Sequence, residues 1–188
     1  MTDAEVDPGT GAPTLPAVRL RRPTEADHRR IVGVVDEWWG GRRVRHLLPR
    51  LWLQHFRGTS WVAETEEGRL AAFLVGFVSP DDPEVGYVHL AGVDPNLRRR
   101  GLGRRLYQAF IDDVAGRGVH RVTAVTWPGN RGSVEFHTRI GFRIDDGPGT
   151  QRLYGTPAYP SYDGGDEDRA VLTREIEPPS PEQARPDR

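Results

Sequence analysis

At 188 residues, with 36% hydrophobic content and a formal net charge of -1, the chain has material for one core and too little for two. It contains no cysteine, which excludes disulfides, thiolate metal sites and a cysteine nucleophile, and its near-neutral charge argues against a dedicated nucleic-acid binder. No apolar run approaches the roughly 20 residues of a membrane span, and the acidic, Pro/Gly-rich N-terminus lacks the basic start and apolar stretch of a signal peptide. No membrane association and a cytoplasmic location are therefore expected. All 26 basic residues are arginine, a bias we attribute to a GC-rich genome.

Residues 1–16 and 177–188 are proline-rich and charged, which predicts disordered tails around one folded region at 17–176. "VRLRRP" alternates and stops at a proline, as a first strand does. Thr24 with Asp27 three residues on resembles an N-cap opening, and Ile31, Val34, Val35 and Trp38 follow at helical spacing until Gly40 and Gly41. "RHLLPRLWLQHF" reads as a Pro-interrupted helical piece, and "SWVAET" and "LAAFLVGFVS" as a hairpin. "VGYVHLAGV" is a further strand, "DPNLRRR" a loop, and Gly103 to about Ala115 a helix with Leu102, Leu106, Phe110 and Val114 on one face. "RVTAVTW" gives a strand, "NRGSVEFHTRI" a short helix closed by Gly141, and "GFRI" and "RAVLTREI" a last strand or two. This order predicts an α+β fold, helices on a mixed, mostly antiparallel sheet.

The stretch "RRRGLGRRL", 98–106, places five arginines around two glycines. A nucleic-acid patch, a phosphate-binding turn and a solvated helix face each account for that charge. Unpaired amides at a helix N-terminus bind phosphate when glycines let it approach the main chain. No Gly-Lys-Ser/Thr follows and Leu106 stands at a third glycine's place, so neither a Walker loop nor a dinucleotide fingerprint is present.

From Tyr87 onward the sequence resembles the GNAT acetyltransferase superfamily. "YVHLAGVDPNLRRRGLGRRL" carries its R/Q-x-x-G-x-G/A pattern on Arg98, Gly101 and Gly103, and "NRGSVEFHTRIGF" its second element on Asn130, Ser133, Phe136, His137, Gly141 and Phe142. The resemblance implies a GNAT-type sheet with a splayed strand pair that takes acetyl-CoA as cosubstrate. It places the pyrophosphate on the main chain of Arg99, Arg100, Gly101, Leu102, Gly103 and Arg104, beside Arg98. Pantetheine then lies between the strand ending at Val93 and "RVTAVTW", paired with the amides of Gly92 and Val93, Gly92 marking a bulge. Asn130 and Ser133 complete the cofactor set, Asn130 also suiting a helix N-cap.

The implied reaction is N-acetylation of a small-molecule or peptide amine by direct attack in a ternary complex. An amine must lose its proton, the oxyanion needs a donor, and the departing thiolate takes a proton. His137 replaces the family's usual tyrosine acid and reads either as a proton donor or as a packing residue. For the base, Tyr87, His89 and Ala91 share a strand face by alternation, with His89 first and Tyr87 and Glu84 behind it. Trp38, Trp39, Trp52 and Trp61 read as core or as walls of the acceptor site. His46 and His55 lack metal-ligand spacing and a carboxylate partner; Asp163–Asp168 reads as a cation holder or, more simply, as a polar turn before the last strand, and no metal site is expected. A CoA-binding module without turnover is the second reading and a nucleic-acid binder the third; the sequence is compatible with a homodimer and leaves oligomeric state open.

Overall fold

The computed structural model describes residues 17–177; of the tails expected at 1–16 and 177–188, residues 1–16 and 178–188 lie outside the described residues. The chain enters along β1 (Val18–Arg21) and turns at Pro23 into α1 (Glu25–Trp38). Asp27 begins the helix as foreseen: its Oδ2 accepts the Thr24 N–H at 2.8 Å and the Thr24 hydroxyl at 3.0 Å. The same carboxylate, 1% exposed, anchors an ionic hub. Arg21 reaches its two oxygens at 2.8 and 2.9 Å, and Arg21 and Arg30 both bridge to Glu64. Charge complementarity thus pins β1 and α1 to the next strand.

The Pro-interrupted piece splits into a 3-10 turn at Arg45–Leu47 and a short α2 (Leu51–His55). Then come β2 (Trp61–Thr65), β3 (Leu70–Val78) and β4 (Val85–Val93) as an antiparallel meander, the helix α3 (Leu102–Ala115), β5 (Arg121–Thr126) and α4 (Arg131–Arg139). β6 is only Arg143–Ile144, and β9 (Ala170–Glu175) inserts between β5 and β6, giving the order β1-β2-β3-β4-β5-β9-β6. Sequence reasoning missed the separate hairpin of β7 (Gln151–Leu153) and β8 (Thr156–Ala158). Its two-residue turn, Tyr154 and Gly155 with φ of 53° and 86°, is the primed kind that matches strand twist.

Apolar alternation divides the core. One cluster, with Leu102, Leu106, Phe110 and Val114 of α3, packs on one sheet face, and the other, with Ile31, Val35 and Trp38 of α1, on the opposite face. The helix seen at 103–115 in the sequence begins one residue earlier, at Leu102, with Gly101 as its N-cap. Among the described residues no helix is long and apolar enough to cross a membrane.

Candidate functional site

β4 and β5 are the parallel pair in the sheet, and their pairing runs only from Val85–Arg121 to Val88–Ala124. Beyond it β4 continues to Val93 and β5 to Thr126, so the strands part and leave edge groups facing each other across a gap. The cause is visible on the other side of β4. There the register with β3 jumps from Gly76–Val88 to Val75–Leu90, making His89 an extra residue. The bulge therefore lies at His89 and not at Gly92, and it sends Val88 and Leu90 to opposite faces, into different clusters.

The bulge also corrects two further expectations. Ala91 pairs with Leu74 on the α3 side of the sheet, so it does not share a face with Tyr87 and His89. The Asp94 N–H bonds the Ala71 carbonyl at 2.9 Å, which makes Ala72–Val93 a non-hydrogen-bonded pair. Alternation then turns the amides of Val93 and Ala91 into the gap and that of Gly92 inward, to Phe73. Gly92 is glycine for another reason: a Cβ there would stand 2.6 Å from the Trp39 ring and 2.8 Å from Phe73.

At the top of the gap Arg99 and Gly101 take left-handed φ values of 62° and 81°, folding the loop back so that α3 starts beside the strand ends. Its ladder opens with the Arg105 N–H on the Gly101 carbonyl at 3.0 Å, leaving the first-turn amides of Leu102, Gly103 and Arg104 without intrahelical acceptors. A Cβ on Gly103 would come within 3.2 Å of Phe136, so glycine lets α4 close against this turn. The Arg98 guanidinium is directed elsewhere, bonding the carbonyls of Val93 (3.2 Å) and Trp38. Arg98 therefore ties the end of α1 to the strand end. Asn130 caps α4, its Oδ1 accepting the Ser133 N–H at 3.3 Å.

His137 is 6% exposed. Because a carbonyl only accepts, its Nδ1 donates to the Ser133 carbonyl at 2.8 Å, and its Nε2 then accepts the Tyr107 hydroxyl at 2.8 Å. Burial pushes its pKa below the ordinary value against the pull of the Ser133 bond, so this is a neutral ring with both nitrogens engaged. Across the sheet, His89 stacks on Trp52 with ring centroids 4.0 Å apart. Its Nε2 donates to the Leu47 carbonyl at 2.6 Å, which leaves Nδ1 as the basic nitrogen. Burial holds its pKa below the usual 6.5, partly offset by that bond. Phe56, Phe77 and Tyr87 extend the aromatic wall. The Tyr87 hydroxyl is pushed up to about 12 by burial, then by Tyr162 and Asp163. Glu84 caps the far end of the strand instead, its carbonyl accepting from His120 and Arg121.

Two exposed aromatics escaped the sequence reading. Trp127, directly after β5, and Tyr154, on the hairpin tip, are 41% and 62% exposed with ring centroids 5.0 Å apart. A tryptophan in the polar turn "WPGN" was the available signal. The acidic run is held by Arg169, at 2.7 Å from both Asp163 and Glu167. Among the described residues no group of three His, Asp or Glu side chains is placed to hold a metal.

A parted parallel strand pair below a glycine-turned helix N-terminus defines a protein class, and residues 27–142 match the family model described as acetyltransferase (GNAT) family. The chain belongs to the GNAT acetyltransferase family. It is 32% identical over 110 residues to an L-2,4-diaminobutyric acid acetyltransferase of Nocardia farcinica, covering 58% of this chain and 56% of that one. It is 29% identical over 159 residues to a mycothiol acetyltransferase of Gordonia bronchialis, covering 71% and 48%. The chain thus spans about half the length of these curated relatives. In fold it is similar to the diaminobutyrate acetyltransferase of Paenibacillus lautus, solved with L-2,4-diaminobutyric acid and coenzyme A. The TM-score is 0.60 at 22% identity, covering 87% of this chain and 96% of that one.

Proposed function

We propose that this chain transfers an acetyl group from acetyl-CoA to a primary amine by direct attack in a ternary complex. The carrying observation is the β4–β5 pair, which unzips after Val88–Ala124 beneath the α3 N-terminus. An extended amide-bearing arm fits the unpaired edges at Ala91 and Val93, and a diphosphate fits the amides of Arg99 to Arg104, where the helix dipole favours negative charge. Asn130 and Ser133 border that arm. The acceptor is a small-molecule amine, a peptide amine being the other class, and the enzyme is cytoplasmic in this reading.

His89 takes the amine proton. Nε2 is fixed by Leu47, so Nδ1 is the acceptor, and a depressed pKa keeps it unprotonated at neutral pH. Tyr87, with its hydroxyl pushed up to about 12, serves as a neutral hydrogen-bond partner on the same wall. His137 is a positioning residue that locks α4 to α3 through Tyr107, and the thiolate, whose thiol has a pKa of about 8.5, leaves without an obligatory side-chain acid. The Trp52, Phe77 and Tyr87 rings bound the acceptor side. The test is the thermal midpoint with and without acetyl-CoA, where saturation at about 100 times Kd adds about 2.7 kcal/mol. A rise of several degrees supports the reading, and none at millimolar ligand refutes it.

A further inference from the structure

The described residues leave few large apolar side chains exposed: Leu51, Trp127, Tyr154 and Tyr162. Among those residues neither Trp127 nor Tyr154 joins a core cluster, yet the chain holds both in place at a local cost. Tyr154 has φ 53° in the first central position of its hairpin turn, a conformation that asparagine, aspartate or glycine adopts with less strain. The Trp127 ring lies over the main chain of the turn that follows it, where a Cβ on Gly129 would stand 2.3 Å from the indole. That turn is closed by the Asn130 N–H on the Trp127 carbonyl at 2.9 Å. The fold thus fixes two rings that it does not bury, with centroids 5.0 Å apart and planes tilted by 56°. Strain kept where packing does not require it points to a ligand.

The pair stands at the mouth of the β4–β5 gap. The last pairing of these strands is Val88–Ala124, so His89 follows by one residue on β4 and Trp127 by three on β5. At the usual strand spacing and rise, the two main-chain positions are roughly 8–10 Å apart across the gap. Val122 and Ala124 enter the α3 cluster, so alternation turns Thr123 and Val125 to the face of His89 and leaves a half-buried strand floor leading toward Trp127. We propose, resting on the acetyltransferase reading, that Trp127 and Tyr154 select the acceptor, and that it is a primary amine joined to an aromatic ring by a short alkyl chain. The nitrogen meets Nδ1 of His89, and the ring packs offset or edge-on against the Trp127 and Tyr154 rings. A second cation suits this end of the site less well. Arg152, on the same hairpin, bonds the Gly155 carbonyl at 2.9 Å beside Tyr154, and the N-terminus of α4 at Arg131 brings positive partial charge near Trp127.

The experiment compares phenethylamine with cyclohexylethylamine, which is similar in size and lacks the π face, in wild type, Trp127→Leu and Tyr154→Asn. Thiol release gives kcat/KM, and calorimetry gives the affinity of each amine for the CoA-loaded protein. The readout is the ratio between the two amines, because their difference in basicity cancels from one protein to the next. Asparagine suits the left-handed turn, so Tyr154→Asn keeps or raises the thermal midpoint and no folding defect enters its result. The ratio should fall about fivefold in each variant, through KM. A ratio unchanged in either folded variant overturns the proposal, as does a wild-type preference for putrescine over phenethylamine; if Trp127→Leu does not fold, Tyr154→Asn decides. If no amine releases thiol, the acetyltransferase reading fails and the affinities alone decide. A ratio of affinities that falls in the variants then upholds the ring site, and an unchanged ratio or no amine binding overturns it.

Discussion

Replacing Gly101 separates backbone strain from the chemistry of anion binding. At φ 81° and ψ -2° it occupies the left-handed region, and no atom lies within 4 Å of where its Cβ would stand. Asparagine tolerates that conformation and aspartate-like charge is absent from it, so Gly101→Asn carries only a strain of about 1 kcal/mol, or some 2–4 °C in a domain of this size. Gly101→Glu carries comparable strain and adds a carboxylate beside the diphosphate. At about 5 Å and an effective dielectric of about 20, each like-charge pair costs about 3 kcal/mol, roughly a hundredfold in affinity. Calorimetric titration with acetyl-CoA should show Gly101→Asn binding within about tenfold of wild type and Gly101→Glu showing no measurable binding. Equal affinities in the two variants would refute the cradle at 99–104, because only the charge distinguishes them.

Removing the Tyr107 hydroxyl in Tyr107→Phe strands the buried Nε2 of His137 and should cost about 1–3 kcal/mol of stability with little change in kcat; a kcat collapse in a folded variant would restore His137 to a chemical role. His89→Gln should abolish the acidic limb of the kcat/KM profile. Since the His89 pKa lies below its usual value of 6.5, that limb belongs below pH 6.5 in wild type, activity falling as the ring protonates; an identical limb in the variant rules His89 out. Stability should also decline in acid. Burial raises Asp27, but its bonds from Arg21 and Thr24 outweigh that and hold it well below the ordinary carboxylate range, and Glu64 is drawn to about 2 by Arg21 and Arg30. Both folded values are depressed, so the hub's contribution is complete above the ordinary range and disappears as pH falls through it toward about 2. Asp27→Asn should lower stability at pH 7 by about 3–5 kcal/mol and flatten the acid limb in pH-dependent melting; an unchanged limb would show that the hub is not its source.

The elements with long, clean periodicity were legible in the sequence. α1, α3 and the β2–β4 meander each bury a face that patterning alone displays, and the two glycine motifs at their spacing carried the family. Extra-residue events were not legible. A bulge at His89 leaves the apolar alternation of "VGYVHLAGV" unbroken, because the inserted residue is itself half-buried, and only the partner strand reveals the jump in register. Gly92 looked like the bulge because glycine signals local need without saying which: here a tryptophan ring presses on it. The fates of Arg98 and His137 were hidden for a related reason. Both sit on motif positions, yet their partners, Trp38 and Tyr107, lie 60 and 30 residues away, and no local pattern encodes such pairings. The hairpin at 151–158 has strands of three residues, too short for periodicity to register.

The most direct test of the account is thiol release from acetyl-CoA in the presence of primary amines, L-2,4-diaminobutyric acid first among them, with the acetylated product identified by mass. A cysteine-free protein contributes no signal of its own to a thiol reagent. The account predicts release that depends on both enzyme and amine and that Gly101→Glu abolishes. Tight acetyl-CoA binding with no amine-dependent release across a broad panel of primary amines would contradict it and make the chain a CoA-binding module.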